Sequence, residues 1–325
     1  MLLAGDVGGT KTLLGLFEAG GPRPSERLRR SYATDDFSSF TAILDAFARE
    51  TGDPLAVEAV AVGVAGPVVG NVARLTNIDW DISAAEITAR LGTSRVHILN
   101  DLAALAGSVE VLTPDELVPL QEGRARLDGN AAVIAAGTGM GQAYLHRVNG
   151  RLRPVPSEGG HADFAARSDR ELELVRMLRE RFGRAEVEQV VSGPGLLNLH
   201  QLTHRGGECE MLEGVTDPSD APPRVTAAGM SGRCQGCVEA LRMFVSAYGA
   251  EAGNLALRGL ATSGLYVGGG IAPKILPAIR SGLFMEAFLA KEPMRELLTM
   301  VPVKVIVNPD AGLIGAAVHA VEMCR

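Results

Sequence analysis

Cysteine is scarce in this chain: Cys209, Cys234, Cys237 and Cys324 are the four present in 325 residues. That is too few to staple a protein of this size, so a disulfide framework is excluded and a reduced, cytoplasmic setting is expected. Basic charge is short as well. Lys and Arg total 31 against 38 Asp and Glu, a formal net charge of −7. Nucleic-acid binders carry a basic surface, so no nucleic-acid partner is expected. No wholly apolar run comes near the ~20 residues that span a bilayer. The opening MLLAGDVGGTKT has neither the basic start nor the apolar core of a signal peptide, and no membrane partner is expected. A negative balance still leaves phosphate ligands open, because backbone N–H groups and helix N-termini bind anions without positive side chains.

Glycine is abundant: 39 of 325 residues, about 12%, against a usual ~7%. The glycines gather in short turns beside strands, where backbone can approach a ligand closely. The length suits two lobes. Strand and helix patterns alternate, the mark of an α/β protein. Leu2 to Val7 reads as a buried strand, Thr12 to Phe17 as its return, and Ser38 to Arg49 as a helix with Phe40, Ile43, Leu44 and Phe47 on one face. Val57 to Val64 is a strand stopped by Gly66-Pro67. Ser83, with Glu86 three residues on, opens a helix. Arg95 to Leu99 is a strand that meets Asn100-Asp101 and a helix. The opening pattern then recurs: strand Ala131 to Ala136, a glycine turn, and return strand Gln142 to His146, which suggests a duplicated architecture. His204 to Gly236 reads as a long loop. It is followed by a long helix from Cys237 to Gly259, a strand at Leu265 to Val267, a helix from Pro273 to Ile279, a strand at Val303 to Val307 and a closing helix from Ala311 to Glu322.

Three glycine turns carry the first chemical signal. Gly5-Asp6-Val7-Gly8-Gly9-Thr10-Lys11-Thr12 places an acidic residue at a strand end beside glycines that let backbone bend towards an anion. It fits neither G-x-x-x-x-G-K-[ST] nor G-x-G-x-x-G. Ala136-Gly137-Thr138-Gly139-Met140-Gly141 is a second turn of this kind, and either one alone also reads as a plain hairpin. Tyr266-Val267-Gly268-Gly269-Gly270-Ile271 is the third, a floor without side chains suited to a flat ring or a phosphate. Together, in order and spacing, they resemble the phosphate-1, phosphate-2 and adenosine motifs of the hexokinase/actin-like ATPase superfamily. That resemblance implies an α/β, two-lobed actin-like ATPase (ribonuclease H-like) fold, with a cleft between a small α/β lobe of residues 1–110 plus 303–325 and a larger α+β lobe of residues 111–302. It implies ATP binding by Gly5, Asp6, Val7, Gly8, Gly9, Thr10, Gly137, Thr138, Gly139, Gly268, Gly269 and Gly270. Asp6 is expected to reach Mg²⁺ through water.

A further set narrows the family. Asn100-Asp101 stands where a strand meets a helix, a place that also suits a plain N-cap. Ser157-Glu158-Gly159-Gly160-His161-Ala162-Asp163-Phe164 and Glu188-Gln189-Val190-Val191-Ser192-Gly193-Pro194-Gly195 follow. With Ala65-Gly66-Pro67, Leu75-Thr76-Asn77-Ile78-Asp79-Trp80 and Asn308-Pro309-Asp310-Ala311-Gly312, they resemble the bacterial glucokinase family of the Escherichia coli type over almost the whole chain. The resemblance implies that Asn100, Asp101, Glu158, His161 and Glu188 bind glucose hydroxyls and that Asp101 is the catalytic base. Glucose and ATP are then the expected partners, with Mg²⁺, in a homodimer. The alternatives are a kinase for another hexose or an N-acetylhexosamine, and a non-catalytic sugar-sensing regulator on the same fold. The first glycine turn starts at Gly5, so no N-terminal helix-turn-helix is expected.

Two departures stand out. Lys11 occupies a position where many sugar kinases have Asn, and no phosphate contact is assigned to it. The related ROK sugar kinases add a dense C-x-C-G-x-x-G-C zinc cluster that does not occur here. Cys234-x-x-Cys237 with Cys209 and His204 could supply four zinc ligands, but their spacing is irregular and no zinc is expected.

Overall fold

The computed structural model describes residues 1–51, 55–75, 78, 80–205 and 207–325. The chain divides into two units: Met1–Glu116 with Leu152–Pro156 and Asn308–Arg325, and Leu117–Arg151 with Ser157–Val307.

In the first unit, apolar runs make β1 (Leu2–Val7), β2 (Lys11–Glu18), β4 (Ala59–Val64) and β8 (Val96–Asn100), the mostly polar and exposed β3 (Ser25–Ala33) is added at an edge, and β5 (Val68–Val69), β6 (Val72–Arg74) and β7 (Asp81–Ser83) are short. The main sheet has the order β3-β2-β1-β4-β8, and β5-β6-β7 form a small sheet of their own. β1 and β2 are an antiparallel hairpin, while β1, β4 and β8 run parallel, in register from Val7 to Val64 to Asn100. Side chains alternate across the strands. Leu3, Val7, Val60, Val62 and Ile98 bury one face against Phe40, Ile43, Leu44 and Phe47 of the helix Phe40–Thr51. Leu2, Ala4, Ala59 and Ala61 bury the other face against Ala104 and against Leu313, Ala316, Ala317 and Ala320 of the closing helix Ala311–Glu322.

In the second unit β9 (Leu117–Gln121), β10 (Ala131–Ala136), β11 (Met140–Val148), β13 (Gly264–Gly268) and β14 (Val303–Ile306) give a sheet of order β11-β10-β13-β14-β9, while β12 (Arg151–Ser157) follows β11 in the chain and has its Leu152–Pro156 counted with the first unit. β10 pairs antiparallel with β11 and parallel with β13. The recurrence of the two glycine turns is therefore also a recurrence of topology, with β2-β1-β4-β8 and β11-β10-β13-β14 built alike. The 24-residue helix Gln235–Arg258 covers this sheet with Ala240, Phe244, Tyr248, Ala252 and Leu255.

Several elements differ from expectation. β14 pairs Leu265–Val267 with Val303–Val305, so a boundary before residue 303 would cut a strand out of its own sheet. The second unit instead continues to Val307. His204 to Gly236 is not one long loop, since it contains the helix Ala221–Ser231. Its Pro222 and Pro223 sit in the first turn, where no intrahelical N–H is needed, and Gly232 ends it at φ 71°. The helix expected from Pro273 is reduced to Leu276–Ile279 after a turn in which Lys274 N–H bonds to Ile271 O. Helices Asp169–Phe182, Gly193–Thr203, Leu283–Leu289 and Arg295–Met300 were not expected. Of Leu75–Trp80, residues Thr76, Asn77 and Asp79 lie outside the described residues.

Candidate functional site

In the first unit the expected residues collect at the C-terminal ends of the parallel strands, the usual ligand edge of such sheets. The β1–β2 turn, with Gly8, Gly9 and Thr10, closes through Gly8 N–H to Lys11 O at 2.9 Å. Two residues not foreseen as site supports pin it. Thr34 Oγ1 donates to Gly8 O at 3.0 Å and lies 3.0 Å from the buried Thr12 Oγ1. Gly5 has a tighter reason to be glycine than its place in the motif, because a Cβ there would meet Val62 at 3.0 Å.

Asn100 ends β8 and caps the helix Asp101–Gly107. Its Oδ1 accepts from Leu102 N–H at 3.0 Å and Ala103 N–H at 3.3 Å, and its Nδ2 donates to Gly66 O at 3.3 Å. The N-cap reading is thus correct, and among the described residues the second amide hydrogen of Nδ2 remains to be used. Asp101 opens that helix with an exposed carboxyl group, one oxygen of which accepts from Leu102 N–H at 2.7 Å.

Asp6, on β1, is strongly perturbed. Its carboxyl is raised from 3.8 to about 6, chiefly by burial, with Asp101 and Asp310 adding to the rise and Lys11 opposing it. Gly312, in the first turn of the closing helix, lets this happen: a Cβ there would lie 2.8 Å from Asp6 Oδ2. Asp310, to which the resemblance assigns no role, belongs to this acidic group. Asp310 is also paired with Arg29, so the oxygens left to a hard divalent cation such as Mg²⁺ are chiefly those of Asp6 and Asp101, which suit an ion held through its waters.

In the second unit the other expected residues come together. The Gly137–Gly139 turn closes through Gly137 N–H to Gly139 O at 2.8 Å, and Gly193 N–H, at the start of the helix Gly193–Thr203, donates to Gly137 O at 2.8 Å. Glu188 Oε2 accepts from Met140 N–H at 2.8 Å, and a Cβ on Gly139 would sit 2.6 Å from that oxygen. The segment Glu158–His161 folds back on the same place. His161 N–H bonds to Glu158 O at 3.1 Å and Glu188 N–H to Gly160 O at 2.9 Å. Gly160 passes so near β11 that a Cβ would clash with Met140 O. His161 Nδ1 is 3.4 Å from Glu186 Oε1, and ligand atoms of His161, Glu186 and Glu188 lie within 4.8 Å of one another. Glu186 was missed, although it stands two residues before Glu188.

The third turn is brought beside the second. Gly269 has φ 82°, where glycine is favoured, and its α-carbon faces Ala136 O so closely that a Cβ would be 2.4 Å away. Tyr248, also unforeseen, ties both strand ends from below: its buried hydroxyl accepts from Ala136 N–H at 3.2 Å and lies 3.2 Å from Gly268 O. Burial pushes that phenol well above its usual range.

A family model described as Glucokinase matches residues 3–323. The chain is 37% identical to a glucokinase of Synechocystis sp. over 98% of each chain. It is 33% identical to a glucokinase of Shigella dysenteriae, over 98% of this chain and 96% of the other. Among solved structures, that of a glucokinase from an Antarctic psychrotroph superposes with a TM-score of 0.87 at 27% identity, covering 99% of this chain and 98% of that one. No helix among the described residues is long and apolar enough to cross a membrane.

Proposed function

The chain belongs to the glucokinase family, and on that premise we propose that it transfers the γ-phosphoryl group of ATP to the C6 hydroxyl of D-glucose in the cytoplasm, giving glucose 6-phosphate and ADP. The observation that carries this reading is the bond from Met140 N–H to Glu188 Oε2. It joins a carboxylate suited to sugar hydroxyls directly to a glycine turn suited to phosphate, the adjacency that phosphorylation of a polyol requires.

Asn100, Asp101, Glu158, His161 and Glu188 bind the sugar. A polyol is held by several fixed donors and acceptors, and an analogue that lacks one hydroxyl leaves a buried group unpaired. Asp101 accepts the C6 hydroxyl proton as that oxygen attacks the γ-phosphorus, and the proton stays on its carboxyl group until product leaves. The turns of Gly8, Gly9 and Thr10 and of Gly137, Thr138 and Gly139 hold the phosphates, with the Gly8 and Gly137 N–H groups spent on closing the turns and the others left to face the ligand, and Gly268 to Gly270 floor the adenosine. Positioning and electrostatics supply most of the catalysis in phosphoryl transfer. Mg²⁺ would be held near Asp6, through water, and when bound neutralises charge on the phosphate oxygens.

A coupled assay that crosses glucose, mannose, fructose and N-acetylglucosamine with ATP and polyphosphate tests the proposal. Glucose with ATP should give the highest kcat/KM. A higher value for another sugar would replace the assigned substrate.

A further inference from the structure

The irregular cysteines of the second unit are gathered by the fold. His204 caps the C-terminal end of the helix Gly193–Thr203, Cys209 precedes the turn Glu210–Leu212, and Cys234 is the N-cap of the helix Gln235–Arg258, one turn before the fully buried Cys237. Cys209 Sγ lies 3.9 Å from Cys234 Sγ and 3.9 Å from Cys237 Sγ, and Cys234 Sγ lies 3.1 Å from His204 Nε2. A disulfide would need about 2.05 Å. Tetrahedral zinc, with Zn–S of about 2.3 Å and Zn–N of about 2.0 Å, gives S···S edges of about 3.8 Å and S···N edges of about 3.5 Å. The sulfur separations match the zinc geometry.

The surroundings are arranged as a metal site requires. His204 Nδ1 is 2.9 Å from His200 O, so its N–H donates there and Nε2 keeps its lone pair for the sulfur side. The His204 ring stacks on His200 at 3.9 Å. It fits only because residue 236 is glycine, since a Cβ there would come within 2.5 Å of the imidazole. Among the described residues His200 Nε2 is buried without a hydrogen-bond partner, and a ring nitrogen of His200 lies within 4.8 Å of the ligand atoms of His204, Cys209 and Cys237.

We propose that His204, Cys209, Cys234 and Cys237 form a structural Cys₃His site for one Zn²⁺, contrary to the expectation that this protein carries no zinc. Binding releases the thiol protons to solvent and involves no redox change. Four protein ligands close the site, so the ion is a clamp and not a Lewis acid for the reaction. It fastens the segment 204–236 to two helices whose other parts carry Gly193, bonded to Gly137 O, and Tyr248, bonded to Ala136 N–H.

Elemental analysis of the full chain, desalted over a chelating resin, should find about one zinc per chain, lost on treatment with a mercurial. Cys209→Ser with Cys234→Ser should lower zinc below about a tenth per chain, whereas His200→Leu should leave it in place. Should the cysteine variant fail to fold, the wild-type protein refolded with Co²⁺ supplies the answer: intense visible bands and a thiolate charge-transfer band report a tetrahedral, sulfur-rich site. Folded wild-type protein with less than about a tenth of a zinc per chain, weak octahedral cobalt bands, or a disulfide among these cysteines by mass spectrometry would each overturn the proposal. Zinc lost from His200→Leu but kept in His204→Ala would overturn the ligand set.

Discussion

Replacing Asp6 by Asn removes a charge that the fold makes costly. Burial raises its carboxyl from 3.8 to about 6, Asp101 and Asp310 push the same way, and Lys11 opposes them. In the unfolded chain the group ionises near 3.8, so between that pH and about 6 the folded state binds more protons than the unfolded one. The stability tied to protonated Asp6 is therefore fully present below about pH 4 and is lost as the pH rises through about 6. The difference corresponds to ~3 kcal/mol once both states are ionised. Asn has no proton to lose and escapes that cost. Urea unfolding of wild type and Asp6→Asn, in magnesium-free buffer with EDTA, gives the test. The variant's advantage should grow by about 2 kcal/mol between pH 4.5 and pH 8, while its kinase activity falls. Added Mg²⁺ at pH 8 should stabilise wild type more than the variant. A stability difference independent of pH, or a wild type more stable than the variant at pH 8 without Mg²⁺, would refute the account of Asp6 as a charge held against its environment.

Asp101→Asn should lower kcat by ~10²–10⁴-fold, the range of general-base catalysis, while glucose still raises the variant's Tm; retention of more than about a tenth of wild-type kcat would remove Asp101 from the role of base. Glu158→Gln and His161→Ala should weaken glucose binding far more than ATP binding, by roughly 10- to 150-fold, since hydrogen bonds to charged groups are worth ~1.5–3 kcal/mol each; equal losses for both substrates would make these residues structural. Tyr248→Phe should cost ~1–3 kcal/mol by leaving Ala136 N–H and Gly268 O poorly matched, and it should raise the KM for ATP; unchanged Tm and KM would show that the hydroxyl does not hold the two turns.

What could be read in the residues and what could not divides along a physical line. β1, β10 and the closing helix were found with their observed limits because each is an apolar run stopped by glycine, proline or charge, a signal contained in the element itself. The three glycine turns were legible for the same reason, and the Glu158, His161 and Glu188 set came through its resemblance to a family. The helix Asp169–Phe182 was overlooked although Leu174 and Leu178 mark its buried face and Ser168 and Gly183 its ends. The stretch is mostly charged, so its apolar period is thin. The helix Ala221–Ser231 was hidden by Pro222 and Pro223, which break a helix only beyond its first turn. The contacts that join the site's pieces are of another kind. Glu188 meets Met140 across 48 residues, Tyr248 meets Ala136 across 112, and Cys209 meets Cys234 across 25. No period or turn chemistry encodes such a meeting; it follows from where a helix lies on the sheet. Irregular cysteine spacing was therefore weak evidence against a metal. Regular spacing is needed only where a single turn supplies the ligands, and here three caps on separate elements place the sulfurs and the imidazole.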